Sequence, residues 1–201
     1  KIMSVEQLSG VIISHVHADH FLDLVPLCYG LIYGKIRSGA PLPVYVPPGG
    51  TEFLRSFTTV LNGDAEFFTK TFDIREYAEG TPFTIGELTF NANWVQHFVP
   101  SYSIRCEVGR GFVFSADSGP CDELVQAAKD VGTLLCEAAI TKTSEDAPDP
   151  KHRGHLTAAE AANLAQQAGV KHLILTHFRT DIQTHRSEEH TSELQSHLNL
   201  V

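Results

Sequence analysis

The chain has 201 residues, 42% hydrophobic and 19% charged, which supports one packed core and excludes both a disordered polypeptide and two large domains. Its formal net charge is −9 and its Lys and Arg are dispersed, so no extended nucleic-acid surface is expected, since that needs a concentrated basic patch. The cysteines Cys28, Cys106, Cys121 and Cys136 make no C-x-x-C pair, and no apolar run approaches the roughly 18 residues of a membrane span, so neither a thiolate zinc site nor a membrane partner is expected and the chain reads as cytoplasmic.

Residues 11–14 form an apolar, β-branched run of buried-strand length. Residues 22–33 read as a helix stopped by Gly34, and 42–46 as a strand closed by Pro47, Pro48, Gly49 and Gly50. Residues 51–61 read as a helix with Phe53, Leu54, Phe57 and Leu61 on one face. From 67 to 114 the texture is β: 81–85 and 88–95 flank Gly86 and Glu87, and 102–108 and 112–115 flank a Gly-Arg-Gly turn. A short helix at 122–130 and a buried strand at 133–136 follow. Next comes a helix at 157–168, opened by a capping box of Thr157 and Glu160 and ended by Gly169. The strand 172–176 closes the series, and 144–154 is the clearest loop. Strands mixed with helices predict a layered α/β architecture.

Histidine is over-represented, with 11 residues, and its positions carry the meaning. His15, His17, Asp19 and His20 form an H-x-H-x-D-H pattern directly after the first strand. That spacing does not suit one helical face, where ligands sit three or four apart, but on a loop it could splay towards two cations. His97, Asp117 and His177 each follow a strand as well, which would gather them on one edge of the layers. Singly, each has a plain structural alternative, a capped turn for Asp117 and a half-buried polar residue for His97 or His177. Nitrogen and carboxylate donors without sulfur suit a catalytic zinc that keeps a position open for water.

The ordered set SHVHADH, His97, Asp117 in SADSG and His177 in LILTHF resembles the metallo-β-lactamase superfamily of metallohydrolases, over residues 11 to 177. The resemblance implies a four-layer αββα fold of the α/β class and two zinc ions, with manganese or iron as alternatives. One ion would take His15, His17 and His97, the other Asp19, His20 and His177, with Asp117 bridging. Three segments, HFVPSYSIRCE, FSADSGPCDELVQAA and GHLTAAEAANLAQQAGVKHLILTH, are similar to the ribonuclease Z-like branch and, closer still, to bacterial cyclic-nucleotide phosphodiesterases. By that resemblance His155 stands where a branch histidine contacts the scissile phosphate, and Glu137 where a carboxylate orients it. Ala116 departs from the family, which usually has glycine there.

The activity this implies is hydrolysis of a small phosphodiester, such as a cyclic nucleotide, by a hydroxide bridging the two cations. Asp19 would accept a hydrogen bond from the nucleophile, and His155 would donate to the phosphate or the leaving group. Residues 97 to 117 are filled by two strands and a turn, which leaves no room for the long arm of tRNA-gripping members. Lys151, His152 and Arg153 read as loop charges that could otherwise face a phosphate. A ribonuclease Z-like nuclease, a lactone, thioester or β-lactam hydrolase, and an inactive metal-binding fragment are the alternatives, and a homodimer stays open. Proteins of this fold carry several strands ahead of the motif, so residues 1–185 read as a domain incomplete at its start and, at its end, cut short. Residues 186–201, containing RSEEHTSELQSH, resemble a translated sequencing adapter, and His190 and His197 are not counted as ligands.

Overall fold

In the computed structural model, which describes residues 5–34, 39–147 and 149–178, side-chain alternation along the strands sorts the apolar residues into three separate cores. The tail 186–201, with His190 and His197, lies outside the described residues.

The first sheet has strands β1 (Val11–Ile12), β2 (Leu42–Val46) and β3 (Phe72–Glu76), in that order and all parallel. Parallel neighbours need crossovers. Helices α1 (Ala18–Phe21) and α2 (Leu24–Tyr33) supply the first, and α3 (Gly50–Asn62) the second. The second sheet runs β4 (Phe83–Ile85), β5 (Leu88–Val95), β6 (Ser101–Cys106), β7 (Phe112–Phe114), β8 (Thr133–Glu137) and β9 (His172–Thr176). Its first four strands are antiparallel neighbours. β7, β8 and β9 are parallel, with α4 (Asp122–Ala127) and α5 (Ala158–Gln167) in the crossovers.

Leu42, Val44 and Val46 of β2 pack with Leu24, Cys28 and Leu54 of the helices, whereas Tyr45 between them joins Tyr77, Tyr102 and Ile104. The other face of the second sheet, with Val95, Val113, Leu134 and Leu173, packs on Leu124, Ala161 and Leu164 of α4 and α5. The layers are therefore helix, sheet, sheet, helix. Each fully buried Leu or Val contributes about 1.5–3 kcal/mol over its exposed state, so these three cores carry the fold.

The Gly86 hairpin forms as expected, pairing Ile85 with Leu88 across a turn in which Gly86 has φ 58°. Thr157 and Glu160 make the reciprocal capping box. Two expectations need correction. Leu61 is 44% exposed, because the buried stripe of α3 runs through Leu54 and Thr58 instead. Residues 72–76, within the 67–114 stretch read as continuous β texture with hairpins, do not join those hairpins but form a parallel strand of the first sheet. No helix among the described residues is long and apolar enough to cross a membrane.

Candidate metal centre

β5, β7, β8 and β9 share one direction in the second sheet, so their C-terminal ends deliver His97, Asp117, Glu137 and His177 to one edge. The segment leaving β1 brings His15 and His17 to the same edge. It is pinned there by Tyr77, whose hydroxyl donates to the Ile13 and Ser14 carbonyls at 2.9 and 3.1 Å. Asp19 and His20 do not lie on an open loop, as the spacing suggested, but on the single helical turn of α1, with His17 at its N-cap. Ala116 and His177 both have φ 58°, the left-handed region that costs an L residue roughly 1–2 kcal/mol. These two bends turn the chain sharply at the strand ends and aim Asp117 and His177 inward.

All seven side chains expected as ligands converge. His15, His17, His97 and Asp117 offer ligand atoms within 4.8 Å of one another, and so do Asp19, His20 and His177. Asp117 stands between the groups. Its Oδ2 lies 3.7 Å from His15 Nε2, 3.9 Å from His97 Nε2 and 3.6 Å from His177 Nε2, while its Oδ1 lies 3.2 Å from His20 Nε2. Asp19 Oδ2 lies 3.3 Å from His177 Nε2 and 3.4 Å from His20 Nε2.

The donors fit divalent cations. The Nε2 atom of His15 is buried and has no hydrogen-bond partner, a costly arrangement unless another group completes it. His15 Nδ1 contacts Ser14 Oγ at 3.1 Å, and His97 Nδ1 donates to the Gly154 carbonyl at 2.7 Å, which leaves Nε2 of each ring turned inward. His97 Nε2 and His17 Nδ1 are 3.0 Å apart, near the roughly 3.3 Å that two nitrogens on one tetrahedral zinc span.

Electrostatics keep His15, His97 and Asp117 in ligand form. Burial, then the neighbouring His20, lowers the His15 pKa to about 3, and burial lowers that of His97 to about 4. For Asp117, burial works upward, but His20, His177 and His15 outweigh it and bring the carboxyl down to about 2.

Glu137 was expected only as a strand-end acid that orients His155; it is 1% exposed and fully engaged. Its Oε1 accepts from His155 Nδ1 at 2.9 Å and from the Ser118 amide at 2.8 Å, and its Oε2 from the Ala139 and Leu156 amides at 3.0 and 3.2 Å. Burial lowers the His155 pKa, yet the Glu137 hydrogen bond and charge overcome it and hold the imidazole above its usual value. His155 also stacks on His177, with ring centroids 5.8 Å apart. Of the charges beside it, Arg153 is buried and paired with Glu160 of α5, and His152 pairs with Asp149. Sequence reasoning missed Asp146, whose Oδ2 accepts the Gly154 and His155 amides at 2.8 and 3.0 Å. A lone acid in a Pro-rich loop gives no periodic or spacing signal.

The family described as beta-lactamase superfamily domain matches residues 1–178. The chain belongs to the metallo-β-lactamase superfamily. Among superfamily relatives, Rv1339 of Mycobacterium tuberculosis is 35% identical over 169 residues, covering 83% of this chain and 60% of that protein. The chain thus spans 60% of the length of this mycobacterial relative. The probable metallo-hydrolase YhfI of Bacillus subtilis is 29% identical over 175 residues, covering 86% of this chain and 66% of YhfI. A crystal structure of YhfI, described as a metallo-beta-lactamase fold protein, superposes with a TM-score of 0.75 at 22% identity, over 98% of this chain and 76% of that one. Ribonuclease Z of Brevibacillus brevis is 25% identical over 229 residues, covering 88% of this chain and 70% of the enzyme.

Proposed function

We propose that this superfamily member is a two-metal hydrolase acting on a small phosphodiester such as a cyclic nucleotide. The observation that carries the proposal is the position of Asp117, one carboxylate facing two groups of donors, with His155 beside them on a buried Glu137. His15, His17 and His97 would hold one cation and Asp19, His20 and His177 the other, with Asp117 shared; zinc suits the donors. Such cations lower the pKa of water and neutralise charge on phosphoryl oxygens. The chain's own residues do the rest. Asp19 accepts a hydrogen bond from the attacking water and fixes its direction. His155, its Nδ1 committed to Glu137, presents Nε2 as the donor to a phosphate oxygen or to the leaving alkoxide. Its raised pKa favours the protonated form that this role needs.

The resemblance of residues 97–107, 114–128 and 154–177 to the phosphodiesterase branch favours phosphodiesters over lactone, thioester or β-lactam substrates. The likeness to ribonuclease Z favours a second reading, an RNA-processing nuclease. Against it stand the net charge of −9 and the span from His97 to Asp117, occupied by β6 and β7 with no arm between. The test is elemental analysis together with a panel of bis(p-nitrophenyl) phosphate, a cyclic nucleotide, a tRNA precursor, an acyl-lactone and nitrocefin. Turnover confined to the lactone or nitrocefin would sink the phosphodiesterase reading, and bound metal without turnover on any of them would favour an inactive metal-binding chain.

A further inference from the structure

Phe98 directly follows His97, and 58% of its surface is exposed. Scattered exposed apolar residues are ordinary on protein surfaces, so exposure alone says little. This one is placed and supported. Its ring centroid lies 5.2 Å from that of His97 and 5.8 Å from that of His155, so the ring borders both the ligand cluster and the imidazole aimed at the phosphate. Beneath it is Gly154. A Cβ at position 154 would come within 2.5–2.8 Å of three carbons of the Phe98 ring, so the absence of a side chain there creates the ring's seat. The Gly154 carbonyl meanwhile accepts the His97 Nδ1–H, and its amide is held by Asp146. The same glycine therefore fixes a ligand, through its backbone, and an exposed aromatic ring, through its missing Cβ. A ring held this way loses little freedom when a flat ligand covers it.

We infer that Phe98 is the platform on which the base of a nucleoside phosphodiester stacks while its phosphate lies against His155 and the metal cluster. The inference rests on the phosphodiesterase reading and narrows its substrates to diesters carrying a nucleobase. Stacking on an aromatic face is tolerant of base identity, so a preference for any base over none is expected rather than a sharp choice among bases.

The test compares binding of adenosine 5′-monophosphate and ribose 5-phosphate to the zinc-loaded protein by calorimetry, in the wild type and in Phe98→Ala, Phe98→Leu and Phe98→Trp. The two ligands share the sugar and phosphate and differ in the base. Wild type and Phe98→Trp should prefer the nucleotide roughly tenfold. Phe98→Ala should lose that preference by weakening nucleotide binding alone. Phe98→Leu, which keeps apolar bulk on the glycine seat without a π face, should lose most of it too. Equal affinities in the wild type, or a full preference retained in both Ala and Leu variants, overturn the platform. If neither ligand binds to zinc-loaded wild type, the platform fails; the phosphodiesterase reading falls with it only if bis(p-nitrophenyl) phosphate and the cyclic nucleotide are not turned over either. Binding of ribose 5-phosphate without any base preference sinks the platform alone.

Discussion

Glu137 Oε1 accepts the Nδ1–H of His155 at 2.9 Å, joining the end of β8 to a residue two positions before α5's N-cap Thr157, across 18 positions of sequence. Three backbone amides complete the carboxylate, so it is both a structural post and the charge that raises the His155 pKa. Glu137→Gln preserves the volume but sets an NH2 group against at least one of four donors. A stability loss of about 1–3 kcal/mol is expected by denaturant unfolding. The protonated imidazole is lost as pH rises through its elevated pKa, so wild-type turnover should decline there. In Glu137→Gln that decline should begin at lower pH. A pH–rate profile on bis(p-nitrophenyl) phosphate measures it, and an unmoved limb would leave Glu137 a structural role only.

Ala116 gives a prediction of the opposite sign. Where the sequence shows only a departure from the family's usual glycine, the structure locates a cost in the backbone, at φ 58° in a position with no exposed surface. Glycine adopts that conformation without the L-residue penalty, at the expense of more freedom in the unfolded chain. The balance favours Ala116→Gly by about 1 kcal/mol, or roughly 2–4 °C in Tm. Metal content should be unchanged. A lower Tm would mean that the bend is not strained.

Much of the site was legible because its chemistry sits at strand ends. Buried runs such as 133–136 and 172–176 announce themselves by composition, and the polar residue that follows each is conspicuous. Phe72–Glu76 was not legible: FDIRE offers one apolar side to the α3 layer and ends in charge, and its parallel pairing to β2 is decided by tertiary packing. Local pattern also cannot reveal which residues take positive φ when they are not glycine, as at Ala116 and His177. The full burial of Glu137 depends on Ser118 and residues 155–156 meeting it across the sheet edge, and single-chain spacing carries no trace of that.

Without metal, the ligand histidines should make the fold acid-sensitive. His15 and His97 stay neutral in the folded chain down to about pH 3 and about pH 4, whereas unfolded imidazoles take up a proton near 6.5. Between those limits the unfolded state binds more protons, so stability present above pH 6.5 is lost as pH falls. His20 and His155, whose values are raised, lose their contribution only as pH climbs above 6.5, so below it they add no slope. Thermal melts of chelator-treated protein should show Tm falling from pH 6.5 towards 4, and His15→Gln should flatten that slope. A Tm that holds or rises over this interval would show that His15 and His97 are not kept neutral in the fold.

Asp146 tests whether the proposed ligand cluster and His155 are mechanically one unit. Its Oδ2 accepts the Gly154 and His155 amides, and the Gly154 carbonyl in turn accepts from His97 Nδ1. One carboxylate oxygen therefore sets the position of a metal donor on one side and of His155 on the other. Asp146→Ala frees both amides and lets the loop drift, so zinc affinity should fall roughly 10–100-fold and kcat should fall with it. Asp146→Asn keeps an acceptor oxygen in the same place and should restore most of both. Competition with a chromogenic chelator reads the affinity, and turnover at saturating zinc reads what remains once the metals are back. If zinc affinity holds in Asp146→Ala while kcat alone drops, the residue serves His155 and the link through Gly154 to His97 carries no weight.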